Sequence, residues 1–491
     1  MGVDVSTTAT KALVVDEAGR VVSQGVASYD YDIPRPMWTE QDPQVWWDAA
    51  VEAIRGALTG AVDAGQIDAV GLTGQMHGSV LLDGSGDVVR PAILWNDQRT
   101  GAECDQIRAR IGRHRLIEIC GNDALTGFTA PKLLWVANHE PDEWARVATI
   151  LLPKDYLRFR LTGGHAIDVA GGSGTILFDL AKRTWSPEIL DALSIDPSLC
   201  PPTFEGPVVT GMISREGGVA TGLREGTPVV GGGGDQSANA VGVGAVSGGI
   251  MALSLGTSGV VFATSDGPSI DPEGRVHAFC HAVPGKWHMM GVMLSAAGSL
   301  RWLRDALAPG VEFSDLVAGA GEVPPGAEGL LFLPYLSGER TPHPDPLARG
   351  AFVGLTLGHD LRHLTRAVLE GVAFGLRDGL DLMVGAGVER PDSITASGGG
   401  TRSPLWRQIL ADVLGARIDT VATEEGAAFG AATLAGVGAG WHDTVEAAAG
   451  AWVSTEPAAE VSDDAGAYAS LHERFAGLYP ALRPTFSGLA E

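Results

Sequence analysis

The chain has 491 residues, too many for one ordinary hydrophobic core, so two or three domains are expected. Acidic residues outnumber basic ones 59 to 34, for a formal charge of −25, which argues against a nucleic acid or an anionic membrane surface as partner. An anionic ligand would need local help from backbone N–H groups, a lysine and a divalent cation. No uncharged apolar run reaches the ~18 residues of a membrane span. The opening MGVDVSTTATK has no apolar core for a signal peptide. Cys104, Cys120, Cys200 and Cys280 are scattered without a CxxC, and read as free thiols of a reducing cytoplasm.

In chain order, Gly2-Val3-Asp4-Val5 starts a strand, Ser6 to Thr10 is a turn rich in hydroxyls, and Lys11 to Val15 resumes a strand. A hairpin tip whose N–H and O–H groups point outward can cradle phosphate oxygens. Asp42-Pro43 opens a helix, as N-cap and first helical residue. Ala69 to Thr73 reads as a strand that releases Gly74-Gln75-Met76-His77-Gly78, whose amide, thioether and imidazole groups suit a polyol. Arg90 to Arg99 gives a short strand followed by Asn96, Asp97 and Arg99, groups fit either for sugar hydroxyls or for a surface ion pair. Lys132 to Ala137 and Lys154 to Leu161 are expected helical, Asp168 to Thr175 a glycine-rich loop, and Ser186 a helix cap.

The middle of the chain carries the densest chemistry. Gly231 to Gly234 follow an apolar segment ending at Val230, then comes a single carboxylate, Asp235, read as a general base. Ser237 to Val246 reads as a small-residue helix packed closely against a neighbour. Ile250 to Ser254 is a strand, Gly256-Thr257-Ser258 a turn placed to grip a phosphate, and Val260 to Ala263 the returning strand. The match between this hairpin and the first one suggests two similar domains facing one cleft.

His277 to His281 (HAFCH) is explained by alternation along a strand rather than by a metal site. Ser337 to His343 (SGERTPH), with a buried-looking Arg340, reads as a loop clamp. Asp360 to Met383 is a long helix. Thr395 to Gly400 ends a strand in a glycine turn against which a flat ring such as adenine can lie, and Ser403-Pro404 caps the next helix. From about residue 442 a helical tail of little chemical content is expected. The chain holds no Walker A sequence and no GxGxxG.

Together these stretches resemble the FGGY family of carbohydrate kinases, on the actin-like ATPase fold. The residues that carry the resemblance are 74–78, 90–99, Phe128 to Trp135, Leu152 to Tyr156, 231–258, Leu336 to His343 and Gly398 to Asp412. It runs from Gly2 to about Gly440. The resemblance implies an α/β chain of two actin-like (ribonuclease H-like) domains flanking a central cleft. Residues 1–245 would be the sugar-binding N-terminal domain, 246–441 the adenine-binding C-terminal domain, and 442–491 the tail.

It further implies ATP and a ketopentose as ligands and Mg²⁺ as cofactor; a homodimer is one assembly open to the chain, which the sequence does not fix. Ser6, Thr7, Thr8 and Gly256, Thr257, Ser258 would hold the phosphates, with Lys11 near the γ-phosphate. Gly398, Gly399 and Gly400 would flank the adenine, and Asp4 would position the metal. Met76, His77, Asp235 and Gln236 would surround the sugar, with Asp235 as catalytic base. The near rival is another activity of the family, on a related ketose or polyol; the rival from a different class is a nucleotide-driven assembly protein on the same fold, which would lack such a base.

Three positions depart from the family's pattern. Ser6 replaces a glycine of the first phosphate loop. Gly171-Gly172 stand where an aspartate is usual, and Gln236 replaces an asparagine found in some relatives.

Overall fold

The computed structural model describes residues 1–59, 62–422 and 426–489. Among these, two mixed sheets organise the chain. The first has five strands in the order Gly233–Gly234, Gly71–Gly74, Gly2–Val5, Ala9–Val15, Val21–Ser28. The last three form an antiparallel meander, and the first two run parallel to Gly2–Val5. The second has seven, in the order His277–Cys280, Trp287–Met293, Gly259–Ser265, Met251–Leu255, Ser393–Ser397, Arg417–Val421, Thr455–Ala459. Its centre repeats the pattern of the first: a meander, with Ser393–Ser397 parallel to Met251–Leu255 and Arg417–Val421 parallel to Ser393–Ser397. The two matched hairpins thus occupy equivalent places in two equivalent sheets.

The halves are joined by an exchange of helices. The Asp235–Gly242 helix follows a strand of the first sheet, yet Ala240 shares a core with Phe262, Phe279 and Met290 of the second. The Gly426–Gly438 helix follows the second sheet and lies on the first, where Phe429 and Ala432 pack with Leu13 and Val15. The two helices touch backbone to backbone. A Cβ at Gly430 would lie 1.8 Å from the Ala238 carbonyl oxygen, and one at Gly242 2.6 Å from that of Gly426. The neighbour expected for the small-residue helix is therefore a second small-residue helix. That helix, GAAFGAATLAGVG, is apolar all round because it is covered all round.

Caps hold as expected at Asp42, Ser186 and Ser403, each accepting from a backbone N–H in the first turn. Three expectations need correction. The central helix spans Asp235–Gly242 rather than 237–246. The glycine-rich stretch after Asp168 is a short buried helix, Val169–Ser173, because the Asp168 carboxylate caps Gly171 N. The segment after residue 442 is not helical throughout: Thr455–Ala459 adds the edge strand of the second sheet. It is also tied in elsewhere, since Tyr468 donates to Glu370 at 2.9 Å and Trp452 Nε1 to the Glu17 carbonyl at 3.1 Å. No described helix is long and apolar enough to cross a membrane.

Candidate active site

Parallel pairing sets Val5, Gly74 and Gly234 side by side at the ends of their strands. The residues that follow, Ser6, Gln75 and Asp235, therefore leave the sheet together, at the edge where ligands of α/β sheets collect. Gln75 Nε2 donates to the Ser6 carbonyl at 3.3 Å and ties two of these loops together. The same logic in the second sheet pairs Ser254 with Ser397, so Leu255 and Gly398 emerge side by side, with Gly256 next in the chain.

At the first hairpin tip, Ser6 N and Ser6 Oγ both donate to the Ala9 carbonyl, at 2.9 and 2.8 Å. The serine is thus turned into its own turn, and its side chain leaves the approach to the tip clear. Tyr29 OH braces the tip by donating to the Ser6 carbonyl at 2.7 Å. Thr8 is exposed, and Thr7 Oγ1 accepts from the indole of Trp95 at 3.0 Å. At the second tip the carbonyls of Gly256 and Thr257 accept from Ala297 N and Ala296 N, both at 2.9 Å, leaving the Thr257 and Ser258 side chains exposed.

Asp4 lies opposite Lys11 across the first hairpin. Its Oδ1 is buried and makes no hydrogen bond among the described residues. Burial pushes its carboxyl up to about 7; neighbouring Asp235 adds to the rise and Lys11 offsets part of it. An orphaned carboxylate oxygen beside a second carboxylate suits a hard cation that keeps water and phosphate oxygens as its other ligands. No group of three or more His, Cys, Asp or Glu among the described residues is placed to cage a metal. Asp235 is half-buried, and burial raises its carboxyl to about 6 against a hydrogen bond of 2.8 Å from Gln236 N to Oδ1. A carboxylate held near neutrality is a competent proton acceptor.

His77 takes a φ of 71°, unusual for a residue with a Cβ, and its ring meets Phe128 edge-on at 4.9 Å. Its Nδ1 lies 2.7 Å from the Gly174 carbonyl. A carbonyl only accepts, so Nδ1 carries the proton and Nε2 is left as an acceptor. Burial, then the charge of Lys132, lowers this imidazole to about 3, so it stays neutral. Lys132 Nζ spends itself on the carbonyls of His77 and Gly127, at 2.9 and 2.8 Å.

Glycine is required where Met76 and His77 pack. A Cβ at Gly174 would lie 2.7 Å from Met76 Cε, and one at Gly234 2.7 Å from Met76 Sδ. Gly171 and Gly172 face elsewhere: side chains there would meet Asp168 and Phe178. The missing aspartate therefore leaves the Met76–His77 wall untouched.

Behind the site, Arg158 donates to the carbonyls of Val230 and Gly231, at 2.8 and 2.6 Å, and fixes the strand that delivers Asp235. Buried Lys154 bridges Asp155 and Asp168, at 2.5 and 2.6 Å.

A cavity of about 900 Å³ opens beside Gly256, Thr257, Gly399 and Gly400. Leu300, Phe313 and Val317 give it an apolar wall that suits a flat ring. A side chain at Gly398, whose φ is +95°, would lie 2.8 Å from the Leu255 carbonyl oxygen, whereas Gly399 faces open space.

Sequence reasoning named most of this set. It passed over Trp95, Lys132, Gly174 and the Phe313 wall. A tryptophan directly after a strand end in AILWNDQR was the one available signal. The Asp97–Arg99 pair, at 2.7 Å, is structural: Asp97 is fully buried and also accepts from Thr39 N. His277 to Cys280 is a strand as expected, buried on both faces, with His277 against Asn122 Oδ1 at 3.1 Å.

Comparison with known proteins agrees with this architecture. The model of the N-terminal domain of the FGGY family of carbohydrate kinases matches residues 1–242, and that of the C-terminal domain matches 251–439. The chain is 46% identical to a xylulose kinase of Escherichia coli (strain K12) over 441 residues, 89% of this chain and 90% of that one. It is 43% identical to a xylulose kinase of Klebsiella pneumoniae over 490 residues, 99% of this chain and all of the other. The crystal structure of a xylulose kinase from Rhodospirillum rubrum superimposes with a TM-score of 0.93 at 33% identity, covering 99% of each chain. With both domain models matched in order and relatives of this identity along nearly the whole length, the chain belongs to the FGGY family of carbohydrate kinases.

Proposed function

We propose that the protein transfers the γ-phosphoryl group of ATP to O5 of D-xylulose, with Asp235 as the base. The observation that carries this reading is the convergence of three strand ends, which sets Asp235, the Met76–His77 wall and the Ser6–Thr8 tip around one cleft. Phosphoryl transfer asks a protein mainly for positioning and charge neutralisation, plus one group to take the acceptor's proton.

Asp235 Oδ1 accepts from Gln236 N, and the other carboxylate oxygen is assigned to the acceptor hydroxyl. Neutral His77 and Gln236 orient the ketose, and Met76 packs on its carbon chain. The two hairpin tips and Lys11 hold the phosphates, and the adenine enters the cavity beside Gly399 and Gly400. Asp4, with Asp235 nearby, is the position for Mg²⁺, which when bound neutralises phosphate charge. We place the activity in the cytoplasm, in keeping with four free cysteines, three of them buried. A homodimer is the proposed assembly, read out by light scattering.

The primary test is turnover with ATP against a panel of pentuloses and polyols. D-xylulose should give the highest kcat/KM, and preference for another acceptor would overturn the assignment. The rate should also fall with acidity. A base must be unprotonated, so activity is full well above pH 6 and lost as pH falls through about 6, the value to which burial raises Asp235. His77 adds no second limb, because it remains neutral down to about 3. At Asp4 a proton competes with the cation, so the Mg²⁺ concentration needed for half-maximal rate should rise as pH falls below about 7, by on the order of tenfold per unit. A flat Mg²⁺ requirement between pH 5.5 and 8 would remove Asp4 from that role.

Gly399 offers a separate probe of the adenine end. Gly399→Leu projects into open cavity and should raise the KM for ATP by about tenfold or more with little change in the KM for ketose. An unchanged KM for ATP would move the adenine elsewhere.

A further inference from the structure

The loop around Arg340 is a motif singled out by sequence that the proposed chemistry does not use. Its backbone is pinned to the second sheet on both sides. Glu339 Oε1 accepts from Leu294 N at 2.9 Å and from Arg340 N at 2.7 Å. Thr341 N donates to the Val292 carbonyl at 3.1 Å, and Thr341 Oγ1 to that of Arg275 at 2.9 Å.

From this fixed base the side chain reaches across to the first half of the chain. A Cβ at Gly127 would lie 3.8 Å from Arg340 Nη2 and 2.8 Å from the Trp95 carbonyl oxygen. The next residue, Phe128, meets the rings of His77 and His277, at 4.9 and 5.6 Å. The charge of Arg340 is felt at His77, His277 and Lys132.

The guanidinium makes no hydrogen bond and no ion pair within 4 Å among the described residues, although the residue is largely enclosed. Its sequence neighbour is a poor counter-ion. Glu339 Oε2 is itself buried and unpaired, and burial pushes that carboxyl up to about 8. A guanidinium presents five N–H donors and is seldom enclosed without acceptors. The groups around it are an imidazole, a phenyl ring, a lysine already spent on two carbonyls, and a second imidazole. Apart from the acceptor nitrogens of the imidazoles, to which Arg340 makes no hydrogen bond, they offer a charged fork little to bind. A polyol with a keto group brings oxygen acceptors to that spot.

We infer that Arg340, supplied by the C-terminal half, is a substrate-binding residue that donates hydrogen bonds to ketose oxygens on the far side of the His77–Phe128 wall. The inference rests on the proposed acceptor site. It adds that ketose recognition is shared between the two halves, so the acceptor itself helps hold the cleft shut. The transferring phosphoryl group is the competing occupant. It is disfavoured because Arg340 Nη2 stands against Gly127, next to the Phe128–His77 contact that the proposed site assigns to the ketose.

The test compares wild type, Arg340→Met, which keeps the aliphatic stem, and Arg340→Lys, which keeps charge without the fork. Each is assayed with ATP, D-xylulose and analogues that lack one hydroxyl at a time. Arg340→Met should raise the KM for D-xylulose by about 10- to 100-fold, while the KM for ATP stays within about threefold. Arg340→Lys should recover only part of the loss. For the analogue lacking the bound hydroxyl, the penalty of Arg340→Met should shrink to about threefold or less.

An unchanged KM for D-xylulose, a loss uniform across all analogues, or a loss falling equally on ATP would overturn the inference. A lowered melting temperature with unaltered KM values would make Arg340 structural, and overturn it too. Failure of the wild type to phosphorylate any ketopentose would instead sink the proposed function, so the two failures are distinct.

Discussion

Asp235→Ala is expected to lower kcat by about 10²- to 10⁴-fold, the range for loss of a general base, while ATP binding persists. The carboxylate stands at the first residue of the Asp235–Gly242 helix, apart from the adenine cavity, so nucleotide affinity has no reason to follow. Asp235→Asn should behave alike, since the amide keeps size and loses basicity. Removing the charge should also reduce the repulsion that helps raise Asp4, and so lower that carboxyl. Steady-state kinetics with D-xylulose and calorimetric ATP titration of the same preparations supply the readout. Turnover near the wild-type level would end the assignment of Asp235 as base.

The second large effect is on stability. Gly430→Ala should destabilise by about 1–3 kcal/mol or more, because its Cβ would sit 1.8 Å from the Ala238 carbonyl oxygen and would pry apart the crossing helices that join the halves. Gly450→Ala is the matched control. That glycine is exposed in the Val445–Trp452 helix with nothing within 4 Å of an added Cβ, so alanine should stabilise by about 0.5–1 kcal/mol. Melting temperatures should move in opposite directions. A Gly430→Ala melt equal to wild type would mean that the helices have room to separate.

These predictions draw on different depths of the sequence. The Asp235 loop was legible because its chemistry is local: a strand, four glycines and one acid lie within eight residues, Pro228 to Asp235. Gly430 was not. Its helix is apolar on every face, so no periodicity says which surface it covers. Nothing in GAAFGAATLAGVG tells that it crosses to the first sheet, where a Cβ at Gly71 would lie 1.9 Å from the Ala431 carbonyl oxygen. The departure at Gly171 was legible as a departure, but the direction in which a side chain there would point was not. Which of Gly171, Gly172 and Gly174 faces Met76 depends on a short helix that Asp168 nucleates.

The sequence by itself determined the central strands, the two matched hairpins, the helix caps and the place of Asp235 just past a strand end. Each of these is dictated by neighbours a few residues away, through turn chemistry, capping and alternation of apolar positions. Tertiary structure alone decided which helix serves which sheet, that Trp95 braces Thr7, that Thr455–Ala459 completes the second sheet, and that Arg340 reaches Gly127. Those contacts join residues from 34 to more than 400 positions apart in the chain. Close packing of the whole molecule selects such partners, and no local pattern encodes them.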